Sequence, residues 1–207
     1  MNVRVLLAAL LCMAIGGCGE AAGGLAEQAI AKFEKLVASP AASDAQKAYA
    51  LRYISLGYYE LGDYPRSGEY AAKAAAFYPE GSYDYLVNMA DAELMLGKVP
   101  EAVVRLEQAI ALAPRNLAAN NVLGLVYLGD NGEQYVDYRK ALIYNQAAYE
   151  IEPGRITEIV LVRNLLALQE YEQARTHLLD LSQRYADDEH VQHLLAQAEA
   201  GLAQTQE

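Results

Sequence analysis

Apolar residues along this chain recur at helical steps of three and four, and the runs they form come in pairs. Leu86, Met89 and Ala90, with Glu93 a turn on, lead to a glycine stop at Gly97; Ala102, Leu106, Ala109 and Ile110 then form a second stripe, which ends before Pro114. Gly97 suits a sharp reversal because it tolerates backbone angles that other residues avoid. Pro114 stops the second helix, because the residue before a proline is biased away from helical angles. The same arrangement stands 35 residues upstream, where "YELGDYPRSGEYAAKAAAFYP" parallels "LMLGKVPEAVVRLEQAIALAP". Ser67, Ala71, Ala74 and Pro79 follow Gly62 at the steps by which Ala102, Leu106, Ala109 and Pro114 follow Gly97. Ala141, Ala148 and Pro153 repeat the spacing of Ala102, Ala109 and Pro114, and Ala174, Leu181 and Ala186 repeat it again.

Self-similarity at a fixed period of this size indicates stacked supersecondary units. A lone helical hairpin cannot bury its apolar face, so the copies are expected to cover one another. The small residues predict close helix crossings, where a larger side chain would push the helices apart. Four copies are expected, over about residues 48–81, 83–116, 117–154 and 155–187.

These landmarks resemble the tetratricopeptide repeat, a helix–turn–helix unit with Leu-Gly, Tyr, Gly-Asp-Tyr, Ala, aromatic, Ala and Pro positions. The third copy keeps Leu123, Gly124 and Tyr127 but has a longer turn, and it is similar to the Sel-like variant. The fourth is degenerate, with Gln169 in the glycine place and Ala186 in the proline place. The resemblance spans about residues 48–187 and implies an all-α, right-handed superhelical solenoid of about four tetratricopeptide-like helix pairs with flanking cap helices, within residues 25–200. Before the repeats, Leu25, Ala29, Phe33, Leu36 and Val37 are expected on the covering face of one helix. After them, Val191, Leu194, Leu195 and Ala198 line a terminal cap, with a frayed polar tail over 201–207.

The N-terminus carries a different signal. Arg4 precedes an apolar run of 11 residues, Val5 to Ile15, well short of the roughly 20 needed to span a bilayer as a helix. Ile15-Gly16-Gly17-Cys18 resembles a bacterial lipoprotein processing box. That resemblance implies a signal peptide over 1–17 and acylation of Cys18 on its sulfur and amine. Gly19 rather than aspartate in the next place implies an outer-membrane address facing the periplasm, and 18–24 then reads as acylated cysteine and flexible tether. An ordinary secretory signal, with Cys18 incidental, is the alternative. The two cysteines of the chain are Cys12 and Cys18, so on the lipoprotein reading no thiol chemistry or disulfide remains in the mature chain.

Composition narrows the function. The chain carries 16 basic against 27 acidic residues, a net charge of −11, and loss of Arg4 takes it to about −12. Such a balance opposes phosphate-backbone binding, which rests on Lys and Arg. His190 and His193 share a helical face but lack the further ligands a zinc site needs, and His177 stands alone on its helix. "GDNGEQYVD" (129–137) lacks the frame of a calcium loop. No phosphate loop, G-x-S-x-G or HExxH occurs. No catalytic residue, metal or other cofactor is therefore expected, and no small-molecule substrate.

The tyrosines concentrate early: nine of the 16 lie between Tyr49 and Tyr85. Tyr58 and Tyr64 match packing positions, whereas Tyr49, Arg52, Leu56 and Tyr59 share the other face of their helix. In proteins with this repeat, that face lines a groove for a partner peptide. The same phase gives Asp84, Val87, Asp91 and Leu94 in the second copy; Ala118, Asn121, Leu125 and Leu128 in the third; and Ile156, Ile159, Arg163 and Leu166 in the fourth. Tyrosine and arginine dominate binding hot spots. The lysine and asparagine set that clamps a C-terminal carboxylate in chaperone-binding relatives is missing. The expectation is a non-catalytic, lipid-anchored adaptor that binds protein or peptide and serves an envelope machine (pilus, secretion or outer-membrane protein assembly), or else a scaffold recruiting peptidoglycan enzymes. Metabolic labelling with palmitate should mark the wild-type chain and not Cys18→Ala; label retained by that variant places acylation elsewhere.

Overall fold

The computed structural model of this chain describes residues 19–205. Cys18 and the expected signal peptide lie outside them. The described residues form ten α-helices and one 3-10 turn (Glu133–Tyr135), with no strand among them. In order the helices are α1 (Gly19–Ala38), α2 (Asp44–Glu60), α3 (Tyr64–Ala75), α4 (Tyr83–Met95), α5 (Val99–Leu112), α6 (Leu117–Leu128), α7 (Tyr138–Ile151), α8 (Arg155–Ala167), α9 (Tyr171–Arg184) and α10 (Glu189–Gln204). The chain is all-α. It divides into two compact units, one ending at Pro114 and the other beginning at Arg115.

In the first unit each of α1 to α5 packs on the next; the second repeats this from α6 to α10, with α8 also touching α6 and α10. The repeating landmarks form the seams. Ser67, Ala71 and Ala74 on α3, Ala102, Leu106 and Ala109 on α5, Ala141, Asn145 and Ala148 on α7, and Ala174, Leu178 and Leu181 on α9 are all at most 5% exposed. Spacings of four and three put each trio along one side of its helix. Serine in the first trio is satisfied across its seam, because its hydroxyl pairs with the Ser55 hydroxyl at 3.2 Å, which itself donates to the Ser67 carbonyl at 2.8 Å.

Asn145 is the polar exception, standing where the other copies have Ala71, Leu106 and Leu178. Its amide donates to Asn164 Oδ1 at 3.1 Å, and Asn164 Nδ2 donates to the Tyr138 carbonyl at 2.9 Å, so a short amide chain joins α7 to α8. Gly124 on α6 makes room for it. A Cβ there would lie 1.8 Å from Asn145 Oδ1.

All four hairpins turn in the same way. Gly62, Gly97, Gly129 and Gln169 have φ of 73°, 70°, 107° and 60°. The next N–H in each case reaches five residues back, from Asp63 to the Tyr58 carbonyl, Lys98 to Glu93, Asp130 to Leu125 and Glu170 to Leu165, at 2.8–3.1 Å. This is the Schellman ending, which satisfies carbonyls that the helix leaves open. Gln169 adopts it without being glycine, at a cost of about 1 kcal/mol or more.

Three expectations are corrected. Leu25 is 67% exposed, because Ala26, Ile30, Phe33 and Val37 form the covering face of α1 instead; Ile30 meets Ile54 and Tyr58 there, with Phe33 and Val37 packed alongside. Gly19–Gly24, expected as a tether, belong to α1. The expected frayed tail begins inside α10, which continues to Gln204, and Gly201 is buried against Tyr171, whose ring atoms lie 2.4–2.5 Å from where a Cβ would stand.

Alanine normally improves a helix interior over glycine by about 0.5–1 kcal/mol. At Gly124 the sign should reverse, with urea unfolding showing a loss of about 1–3 kcal/mol as Asn145 is displaced. Gly24→Ala, which meets nothing within 4 Å, should be neutral or stabilising.

Candidate functional site

Helix α2 is fixed at its start by a capping box: the Gln46 N–H donates to Ser43 Oγ at 3.3 Å and the Ser43 N–H to Gln46 Oε1 at 2.9 Å. That start sets the phase. Ala48, Leu51, Ile54, Ser55 and Tyr58 go inward, leaving Tyr49, Arg52, Leu56 and Tyr59 half-buried or exposed on another face. Tyr49 is 39% exposed, and its ring lies 4.5 Å from Tyr53 and 6.0 Å from Phe33 of α1, centre to centre. Phe33 also stacks on Tyr53 at 4.7 Å. Burial, and then hydrogen bonding with Tyr49, push the Tyr53 hydroxyl up to about 12, so it stays protonated. At the other end Tyr59 meets the edge of Tyr64 at 5.5 Å.

Helix α4 contributes Asp84, which is exposed, and Asp91 and Leu94, which are half-buried. Val87, expected beside them, is buried with Leu86 and Ala90, because α4 is held between α3 and α5 and little of its circumference is left open. Asp91 shows some surface to solvent, but the packing around it excludes enough water to push its carboxyl up to about 6; Arg52 on α2 pulls it the other way. Residues 39 apart in sequence thus act on each other. Neither makes a hydrogen bond or ion pair among the described residues.

The second unit treats its share of the expected face differently. Asn121, Leu125 and Ile159 are buried, and Ile159 belongs to the core formed with Leu178, Val191 and Leu194, with Leu166 packed against it. The contacts of α8 with both α6 and α10 cover that side. Ala118, Leu128 and Ile156 are half-buried. Arg163 is half-buried and bound to Asp130, Nη2 to Oδ1 at 2.9 Å, which ties the long turn of the third copy to α8.

A charged cluster escaped the sequence reading. Glu158, 2% exposed, binds Arg184 and accepts from His177 Nδ1 at 2.9 Å; Arg184 also meets Asp180 at 2.7 Å, and the His177 ring stands edge-on to Tyr149. His177 is therefore not solitary. Nothing in "RITEIV" distinguishes Glu158 from a surface glutamate, because only the arrival of α9 buries it. His190 is half-buried and held below its ordinary value by burial, while the exposed His193 pairs with Gln197 at 3.0 Å.

Among the described residues no three His, Cys, Asp or Glu side chains are grouped to hold a metal, and no helix is long and apolar enough to cross a membrane. Chemically, the face of α2 and α4 offers aromatic surface, one guanidinium and two carboxylates. The chain matches no family model and no curated protein.

Asp91 also generates a stability test. Its folded value lies above its ordinary 3.8, so the ionised form costs stability above about pH 6, and that cost fades as pH falls from 6 toward 4. Asp91→Asn should stabilise the protein by about 1–2 kcal/mol at neutral pH, with the gain gone near pH 4. Urea titrations at both values check this; a variant less stable than wild type at neutral pH would refute the assignment.

Proposed function

We propose that this chain is a non-catalytic, protein-binding adaptor built from four tetratricopeptide-like helix pairs in a right-handed solenoid. It is a lipoprotein anchored through Cys18 to the outer membrane, facing the periplasm, and it helps assemble an envelope machine such as a pilus, a secretion system or the outer-membrane protein pathway. The observation that carries the binding role is the pair Arg52 and Asp91. They stand on α2 and α4, act on each other, are partly open to solvent, and lack a bonded partner among the described residues. Proteins stabilised only for their own sake rarely leave a poorly hydrated carboxylate unpaired.

Support also comes from the setting. Tyr49, Leu56 and Tyr59 share a face with Arg52, giving aromatic and aliphatic surface beside charge, the mixture found at hot spots. Val87 in the first unit and Asn121, Leu125 and Ile159 in the second are buried in the packing of their own units. The binding region accordingly contracts to the α2–α4 face of the first unit.

Truncating a central tyrosine or arginine anchor costs about 2 kcal/mol, close to thirtyfold in affinity. Tyr59→Ala and Arg52→Ala are expected to lose the partner in pull-downs from envelope extracts, with helix content by circular dichroism unchanged. Glu101→Lys, on an exposed position of α5, should retain it. The reverse ranking moves the interface off this face.

A further inference from the structure

Helix α1 buries one side against α2, through Ala26, Ile30, Phe33 and Val37, and leaves two exposed stripes that differ in chemistry. Leu25, Gln28, Lys32 and Lys35, at steps of three, four and three, lie along one flank. Glu27, Ala31 and Glu34, at steps of four and three, lie along the other, and all seven residues are exposed. The first flank carries two positive charges and Leu25, which is 67% exposed; the second carries two negative charges. Contact with water alone does not require charges to be sorted by flank.

Neither lysine forms an ion pair among the described residues, and Lys32 Nζ stands 6.0 Å from the centre of the Phe33 ring. Other cations of the first unit are paired, Arg66 with Asp63, Lys73 with Glu69 and Arg105 with Glu93. Charge is also unevenly placed along the chain. Residues 19–60 hold four basic and five acidic side chains, against 11 and 22 in residues 61–207, so nearly all the acidic excess lies beyond α2.

Resting on the reading of Cys18 as the lipid anchor, we propose that the Leu25 flank of α1 is a second membrane contact. It lies along the bilayer that holds the acyl chains, with Lys32 and Lys35 on anionic lipid headgroups. Position selects that occupant. Helix α1 begins at Gly19, the residue after Cys18, with helix in place of a flexible tether. At a rise of about 1.5 Å per residue, Leu25 stands about 9 Å and Lys35 about 24 Å along the axis from Gly19, so acyl chains at the helix start keep the whole flank within reach of the surface. Leu25 enters the headgroup boundary, the lysine stems lie along it with their charged heads in the polar layer, and Glu27 and Glu34 turn to water. The acidic excess beyond α2 makes the rest of the chain a poor competitor for the same anionic surface. A leucine and two lysines bind lipid too weakly to anchor a chain alone; beside acyl chains they orient it. Because Ile30 and Phe33 fix α1 on α2, seating this flank also sets the direction in which α2 presents Tyr49, Arg52 and Tyr59.

Cys12 lies in the expected signal peptide and the sulfur of Cys18 is acylated on this reading, so one introduced cysteine is the sole free thiol of the mature chain. Nitroxides attached singly at Leu25→Cys, Glu27→Cys, Gln28→Cys and Ala31→Cys test the contact. Acylated protein is added to vesicles of phosphatidylethanolamine and phosphatidylglycerol, and collision with an aqueous nickel chelate reads the depth of each label. Labels at 25 and 28 should collide several times less often than those at 27 and 31. Lys32→Glu combined with Lys35→Glu should abolish the difference while the protein stays acylated and bound to vesicles. The inference is overturned, and the anchor left standing, by four labels that collide alike, by protection at 27 and 31 instead, or by collision that rises steadily from 25 to 31 as on an upright helix. Protection that survives the double lysine substitution overturns it too. A chain that takes up no palmitate and stays off the vesicles overturns both readings.

Discussion

Helices in each unit approach one another through alanine, serine and glycine, and the rest of the structure depends on that closeness. Ala74, Ala109, Ala148 and Ala174 are fully or almost fully buried on the second helices of their pairs. Close-packed interiors feel a change of even one methylene. With small residues at the seam, the larger side chains can sit beside the crossing, where Leu106 and Leu178 fill space, and the first helix of a pair keeps a second face for other uses. On α2 that second face holds Tyr49, Arg52, Leu56 and Tyr59.

Two carboxylates of this chain sit in contrasting electrostatic surroundings. Glu158 is deeply buried and bound to Arg184 and His177, so it is committed to the second unit's core. Removing either member of such a group leaves an uncompensated charge, which is what makes it structural. Asp91 is less buried and less satisfied. The two carboxylates are of the same chemical type, and their surroundings treat them differently.

Much of the helix pairing was legible in sequence because it rests on local rules: Gly62 and Gly97 at positive φ and the trio spacings on α3 and α5. Even the degenerate fourth copy keeps its turn, since the Schellman hydrogen bonds impose on Gln169 the geometry that glycine adopts freely. The surface was less legible. Extending one helical phase through all copies assumed that each first helix has the same neighbours, and α8 does not, because α10 packs on it and buries Ile159. Leu25 misled for a simpler reason: it lies one residue from the Ala26–Ile30–Phe33–Val37 stripe, and a single helical step is a rotation of about 100°. Glu158 was invisible, since its partners come from 19 and 26 residues away.

A chain made of similar copies risks pairing the wrong ones as it folds, a failure typical of repeat proteins. Asn145 guards against this in the third copy. Its side chain fits only where Gly124 leaves a vacancy on one side and Asn164 answers on the other. Its Oδ1 has no hydrogen-bond partner among the described residues, and against a helix without Asn164 its Nδ2 would lose its bond as well, at a cost of about 1–3 kcal/mol. The asparagine thus works as a key cut for one lock, making the order of these copies non-interchangeable even though their apolar spacing is shared.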